Sequence, residues 1–246
     1  MHGPIEAPAH YVGNAHCSQV TALNNRNIYC GMMAALDEGI GNLTHTYEQL
    51  SIWQDTLVVL AADNGGHVGS SGNNAPLRGE KSTNFEGGVR GVSFIHWPGL
   101  APALQGTVSH DVVAVADWLP TFVAGAAGLE LEADSFRYGL DGVDQWAALT
   151  NPAAGGGPAR GPTKGLVHEI GGDNGIRQES YMEGKYKLVR FHASIYFNTK
   201  YICVNYSCPT GWNPLPAPSV QPTAPPDERI NSTWLFDVFD DPLGMS

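Results

Sequence analysis

Residues 57–91 read LVVLAADNGGHVGSSGNNAPLRGEKSTNFEGGVRG, and the remainder of the chain is best interpreted outward from them. They begin with a short apolar run rich in β-branched residues, which predicts a strand buried on both faces. The run ends at Asp63 and Asn64, which two glycines follow, so the chain turns there. In open α/β sheets, ligands collect beyond the carboxyl ends of strands, which makes this turn a candidate binding position.

The composition limits the classes of partner. The chain has 246 residues, 42% of them hydrophobic and 15% charged, so it is long enough to bury a core. Its formal net charge is −11 and it contains no block of Lys or Arg, which argues against nucleic acid or an anionic membrane surface as the main partner. No run of residues approaches the roughly 18 apolar residues that a membrane-spanning helix requires.

Three acceptor sequences for N-glycosylation begin at Asn42, Asn205 and Asn231. The chain has four cysteines without metal-site spacing, and they allow three disulfide pairings between which the sequence does not choose: Cys17, Cys30, Cys203 and Cys208. No signal peptide is visible at the N-terminus. We therefore expect a protein of the secretory pathway whose first part is missing from this sequence.

Periodicity predicts the elements of the first 150 residues. Apolar residues recur every three or four positions over residues 27–50, which predicts a long amphipathic helix that packs through one face. A second buried strand is predicted at 92–96, and a helix is predicted from Asp117, as its N-cap, to about residue 127. A helix followed by a buried strand is half of a βαβ unit, so residues 1–150 are expected to form an α/β domain.

The second half of the chain has a different pattern. Residues 151–162 are rich in glycine and proline and predict a linker. Residues 163–246 then contain short strand patterns at 166–170 and 234–238, with a hairpin around Gly184. We expect these residues to form a small antiparallel subdomain.

The residues at the strand end allow two interpretations. A carboxylate and an amide carbonyl are hard oxygen donors, so Asp63 and Asn64 are candidate ligands for Ca²⁺ or Mg²⁺. Calcium binds about six to eight oxygens, so further ligands must come from elsewhere. The alternative is an ordinary strand-to-loop turn, because Asp-Asn-Gly-Gly also suits a turn.

Lys81 and His2 each allow a structural and a functional interpretation. Lys81 is either a solvated surface lysine or a point cation that holds an anionic group of a substrate. His2 is either a flexible terminal residue or a histidine that binds an oxyanion or protonates a leaving group. No partner is assigned to His67 or His96.

The order DNGG…PLRGEK…EGGVR resembles the second signature region of the arylsulfatases, particularly the arylsulfatase B-like branch. Weaker similarities, in the family's order, extend over nearly the whole chain and include His2-Gly3-Pro4, Asp117-Trp118-Leu119-Pro120-Thr121, Leu140-Asp141-Gly142 and Gly184-Lys185-Tyr186-Lys187-Leu188. The resemblance implies an alkaline-phosphatase-like α/β fold and hydrolysis of a sulfate ester, for which a sulfated carbohydrate is a candidate substrate.

Site residues follow from the same resemblance. It implies that Asp63 and Asn64 are calcium ligands, that Lys81 contacts the sulfate, and that His2 is a catalytic histidine. Sulfatases also carry a formylglycine made from a C/S-x-P-x-R motif, and this sequence contains neither that motif nor the family's early pair of metal-binding aspartates. We therefore expect the late half of a sulfatase, inactive by itself, through either an incomplete gene model or a real truncation.

Two other functions stay open at this point. One is a phosphodiesterase or phosphonate hydrolase of the same superfamily, in which more His and Asp ligands usually surround a transition-metal pair. The loop that carries Lys81 favours the sulfatase over this alternative. The other is a non-catalytic secreted binding module that keeps the pocket without the chemistry.

Overall fold

The structure is a computed structural model of the chain. It describes residues 5–13, 17–18, 20, 25–67, 70–74, 77–132, 139–151, 165–171, 176–194 and 229–240. His2, Asn205, Cys203, Cys208 and all but the first residue of the predicted linker lie outside these described residues.

The chain divides into two compact units. The first comprises the described residues of Met1–Pro98, His168–Ser180 and Lys187–Ser246, and the second comprises those of Gly99–Val167 and Tyr181–Tyr186. The main helices are α1 (Arg26–Gln49), α2 (Glu86–Val89), α3 (Trp118–Pro120) and α4 (Trp146–Thr150). The strands are β1 (Val58–Ala61), β2 (Ser93–His96), β3 (Leu166–Gly171), β4 (Ile176–Glu183), β5 (Tyr186–Ser194) and β6 (Arg229–Asp237).

Helix α1 confirms the helix predicted at residues 27–50. A Cys17–Cys30 disulfide ties its first turns to the preceding segment, and Gly31 is buried there against Ala7 and Val12. The expectation that its apolar face packs is met only in part among the described residues. Ile28, Met32, Ile40 and Tyr47 are half-buried, whereas Leu36 and Leu43 are about half exposed. No described helix is long and apolar enough to span a membrane.

Strands β1 and β2 are both present where the sequence predicts strands, but their pairing and burial differ from the prediction. They pair antiparallel, with Val58 opposite His96 and Ala61 opposite Ser93, so they are not neighbours in a parallel βαβ unit. The chain returns directly through residues 62–92, and the Ala62 N–H donates to Val92 O at 2.8 Å to extend the ladder. β1 is half-buried and β2 is largely exposed, because the described residues pair them only with each other.

The second sheet has the strand order β3-β4-β5-β6 and confirms the antiparallel C-terminal hairpin. Gly184 takes a φ of 57° in the turn between β4 and β5, where a glycine meets no steric penalty. Side chains alternate along these strands, so that one face is buried and includes Gln178, Ser180, Lys187, Val189 and Phe236.

The buried face of this sheet packs on the loop that follows β1. Phe85 is 2% exposed, and its ring meets the edges of Trp234 and Phe236 at centroid distances of 5.3 and 5.9 Å. The Arg78 guanidinium lies 4.7 Å from the centre of the Phe85 ring. The side chain of Gln178, in β4, joins the sheet to the backbone of the loop: its amide oxygen accepts from Asn84 N–H at 3.0 Å, and its amide nitrogen donates to Ser82 O at 2.7 Å. The loop and the sheet therefore share one core.

An ion pair lies in the same contact. Lys187 of β5 is fully buried, and its Nζ lies 2.7 Å from Glu86 Oε1 at the start of α2. Burial lowers the pKa of Lys187, and the charge and hydrogen bond of Glu86 oppose that shift. Arg90, four residues after Glu86, has an exposed guanidinium whose Nη1 lies 4.0 Å from Glu86 Oε2. Lys187 is therefore the principal partner of Glu86.

In the second unit, Asp117 has a role other than the predicted one. A helical segment begins with a 3₁₀ turn at Val115–Asp117 and continues through α3 and a π-helical turn at Thr121–Ala126. Asp117 is the last residue of that 3₁₀ turn, and its side chain caps no N–H of α3. Its buried carboxylate instead accepts from Ala114 N–H, Val143 N–H and Gln145 Nε2, at 2.9, 2.9 and 3.1 Å. Asp117 thus stabilises, through hydrogen bonds, the position of residues 143–145, which precede α4.

His168 is predicted to make a contribution to the pH dependence of stability. Burial, and next the charge of Lys187, lower the pKa of His168 to about 4. Between pH 6.5 and 4 the unfolded state therefore binds a proton that the native state does not, so acidification lowers the free energy of unfolding by about 2–3 kcal/mol over this range. Urea denaturation of the wild type and of His168→Gln at several pH values measures this contribution: the free energy of unfolding should fall less steeply with acidification in the variant. An unchanged slope in the variant would contradict the assignment.

Candidate functional site

The first part of the site is the end of β1. Asp63 and Asn64 follow the strand after one residue, as the sequence predicts. The side chain of Asp63 is exposed, and that of Asn64 is half-buried. Asn64 Nδ2 donates to Gly65 O at 2.8 Å, which fixes the plane of the amide beside the turn.

The glycines on either side of the loop permit a direct contact between two backbone segments. Gly65 N–H donates to Gly88 O at 2.8 Å, so the strand end is joined to α2. A Cβ on Gly65 would collide with the carbonyl oxygen of Gly87, and a Cβ on Gly88 would collide with that of Thr83. Gly65 requires glycine because the strand end and α2 approach more closely than any side chain allows, and Gly88 requires it because α2 lies against the backbone of the preceding loop.

Asn74 connects the strand end to the segment that carries Lys81. Its side chain accepts from Gly66 N–H and donates to Gly66 O, both at 2.7 Å, and it also donates to Gly79 O at 3.2 Å. The Lys81 N–H donates to Gly66 O at 3.4 Å. The structure therefore brings the backbone of Lys81 alongside a residue only two positions after Asn64, and the Lys81 side chain is half-buried there.

His67 is the residue of this loop to which the sequence reasoning assigned no role. Its Nδ1 lies 2.9 Å from Ser70 Oγ, and its carbonyl accepts from Ser70 N–H and Gly72 N–H at 3.0 and 2.9 Å. Burial, and next the positive charge of Lys81, lower the pKa of His67. Its position directly after the two glycines of the strand-end turn was the sequence feature that could have identified it as a site residue. His96, which was also unassigned, stacks on Trp53 at a centroid distance of 4.6 Å.

The donor chemistry at the strand end suits a calcium or magnesium ion only in part. The oxygens of Asp63 and Asn64 are of the right kind, but they are two donors where calcium takes about six to eight. Among the residues that the structure describes, no group of three or more His, Cys, Asp and Glu side chains is arranged to hold a metal ion. A complete metal site therefore requires oxygen donors beyond these two.

The predicted glycosylation sites fall in different places. Asn42 is exposed on α1, where its carbonyl accepts from the Thr46 hydroxyl at 2.8 Å. Asn231 lies in β6.

Comparison with known proteins places this loop in a family context. A family model described as Sulfatase matches residues 1–129, which are 129 of the 246 residues. Arylsulfatase J of Mus musculus is 34% identical over 170 residues, 69% of this chain and 26% of that protein. N-acetylgalactosamine-6-sulfatase of Sus scrofa is 32% identical over 144 residues, 57% of this chain and 25% of that protein. The chain thus spans about a quarter of the length of these relatives.

Two solved structures share the fold. The crystal structure of Ps i-CgsB aligns with a TM-score of 0.67 and 22% identity, covering 100% of this chain and 43% of that chain. The crystal structure of Ps i-CgsB in complex with k-i-k-neocarrahexaose aligns with a TM-score of 0.68, covering 98% of this chain and 42% of that chain. The mixed helix and sheet content of the chain fits an alkaline-phosphatase-like fold, and the C-terminal antiparallel sheet is present.

The close contact at Gly65 is testable with one methyl group. We expect Gly65→Ala to lower the free energy of unfolding by about 1–3 kcal/mol, because the new Cβ collides with a backbone oxygen. Gly39→Ala is the matched control: nothing lies near that position on α1, so alanine should raise the free energy by about 0.5–1 kcal/mol. Urea denaturation measures the free energy of unfolding of both variants. A change of the same sign in the two variants would contradict the close contact at Gly65.

Proposed function

This chain belongs to the sulfatase family, and on that premise we propose that residues 63–90 carry part of a site for sulfate-ester hydrolysis. The observation that carries the proposal is the hydrogen bond from Lys81 N–H to Gly66 O. It holds a cationic residue beside a strand end that offers two hard oxygen donors. A cation and metal-binding oxygens on adjacent segments suit an anionic group that a metal ion also contacts.

Each residue has a distinct part in this proposal. Lys81 neutralises the sulfate as a point charge, which suits a tetrahedral anion because an ammonium group has no preferred plane. Asp63 and Asn64 provide two of the calcium ligands, and Asp63 also lowers the net charge of the bound ion. A calcium ion, when bound, draws electron density from the sulfate oxygens. His2 protonates the departing alcohol.

The site needs groups that this sequence does not contain. Hydrolysis in the family proceeds through a formylglycine, and the C/S-x-P-x-R motif that yields it does not occur in the 246 residues. The family's early pair of metal-binding aspartates, which would supply further calcium ligands, is likewise not found in this sequence. We propose that residues 1–150 are the late half of a catalytic domain, joined by the linker at 151–162 to the subdomain at 163–246. The half-exposed leucines of α1, Leu36 and Leu43, and the largely exposed strand β2 support an incomplete domain.

Sulfated carbohydrate is the substrate class that we propose. One relative is named N-acetylgalactosamine-6-sulfatase, and one structural neighbour was solved with a neocarrahexaose. The net charge of −11 disfavours unspecific attraction of a polyanion, so a sulfated glycan is recognised locally, by the charge of Lys81. The relatives named above are sulfatases, which favours sulfate esters over phosphate esters.

The secretory pathway, leading to a lysosomal or extracellular location, is the compartment that we propose. Disulfides persist in oxidising compartments, and the Cys17–Cys30 bridge is consistent with one. Asn42 is exposed and accessible to glycosylation, and Asn205 and Asn231 are the other two proposed acceptors.

Binding and turnover of sulfate esters by the purified chain test this proposal. We expect weak binding of methyl sulfate in the presence of calcium, with Lys81→Ala lowering the affinity at least fivefold because the charge of Lys81 is lost. Lys185→Ala, in the β4–β5 turn, is the matched control and should bind like the wild type. NMR titration measures the affinities.

The same samples should not hydrolyse 4-nitrophenyl sulfate, because the nucleophile is missing. Equal affinities of the Lys81 and Lys185 variants would remove the proposed sulfate site. Measurable turnover by the wild-type chain would overturn the proposed inactivity.

A further inference from the structure

Contacts with Ser70 and Gly72 fix the backbone of His67. The carbonyl of His67 accepts two hydrogen bonds, from Ser70 N–H and Gly72 N–H. Gly72 lies so close to Gly66 that a Cβ on it would be 2.7 Å from Gly66 C and 2.8 Å from His67 N. These contacts leave His67 little freedom to move relative to the strand end.

The side chain of His67 is oriented as well. Ser70 Oγ lies 2.9 Å from Nδ1, which fixes the ring plane. When the serine hydroxyl donates to Nδ1, the proton of the neutral imidazole resides on Nε2, on the opposite side of the ring. Nε2–H is then a hydrogen-bond donor.

The neighbours of His67 are those of the anion site. The adjacent Gly66 is held on both its N–H and its carbonyl by Asn74, and the same carbonyl accepts from Lys81 N–H. Burial is the larger cause of the lowered pKa of His67, and the positive charge of Lys81 is the next. Burial and the charge of Lys81 thus both favour the neutral imidazole.

We propose that His67 is a further substrate-binding residue, which donates a hydrogen bond from Nε2 to a sulfate oxygen while Lys81 supplies the charge. The inference rests on the proposed sulfate site. A sulfate ester presents several oxygens, so two donors on adjacent backbone segments contact different ones. Ser70 is a positioning residue that acts through the imidazole.

The test is NMR titration of the full 246-residue chain with methyl sulfate, in the presence of calcium. His67→Ala should lower the affinity about tenfold, because a hydrogen bond to a charged group is lost. His67→Gln places an amide N–H near the position of Nε2 and should bind within about twofold of the wild type, whereas His67→Asn should lose as much as His67→Ala. His45→Ala, on the exposed surface of α1, is the control and should have no effect.

The outcomes separate the two proposals. If Lys81→Ala weakens binding but His67→Ala and His67→Asn do not, the sulfate site stands and the role of His67 is wrong. If Lys81→Ala has no effect, the sulfate site itself is wrong. If His67→Ala unfolds the chain in a thermal melt, the comparison of the Gln and Asn variants decides, and equal losses in these two would overturn the proposed role.

Discussion

A buried ammonium ion must be paired, and the partner of Lys187 determines how α2 and the preceding loop pack on the C-terminal sheet. Glu86 lies 2.7 Å away at the first position of α2, 101 residues earlier in the chain. Because unpaired burial of either charge is costly, the pair requires α2 to lie on the buried face of the C-terminal sheet. The aromatic contacts of Phe85 add apolar burial at the adjacent position.

This constraint reaches the proposed site through the backbone. Helix α2 continues from Glu86 into Gly87 and Gly88, and Gly88 O accepts the N–H of Gly65 at the end of β1. A side chain at Gly65 would separate the strand end from α2, and side chains at Gly87 and Gly88 would displace α2 from the backbone of residues 78–83, so glycine is part of the geometry of the loop. The C-terminal sheet thus supports a strand end whose own pairing with β2 is exposed to solvent. Residues far along the sequence can in this way hold the loop that carries the proposed site.

Local sequence patterns predicted the elements and the position of Asp63–Asn64, because strand runs, helix periodicity and turn glycines act between near neighbours in sequence. The motif also identified the family. Long-range partners were not predictable: Asp117 bonds to residues 26 and 28 positions away, and Glu86 prefers Lys187 to Arg90, which is four residues from it. His67 was unassigned for the same reason, since its environment depends on contacts across the loop. The antiparallel pairing of β1 and β2 likewise depends on the return path of the chain.

Hydrogen exchange of the backbone amides in Lys187→Met examines this dependence directly. The Gly65 and Gly87 N–H groups donate to Gly88 O and Arg78 O, and both should exchange at least tenfold faster when Glu86 loses its partner. The amides of α1 should be unaffected, and Arg190→Met, which removes only an exposed ion pair, is the control. If Gly65 keeps its protection in Lys187→Met, the strand end does not depend on the buried pair and the account is wrong.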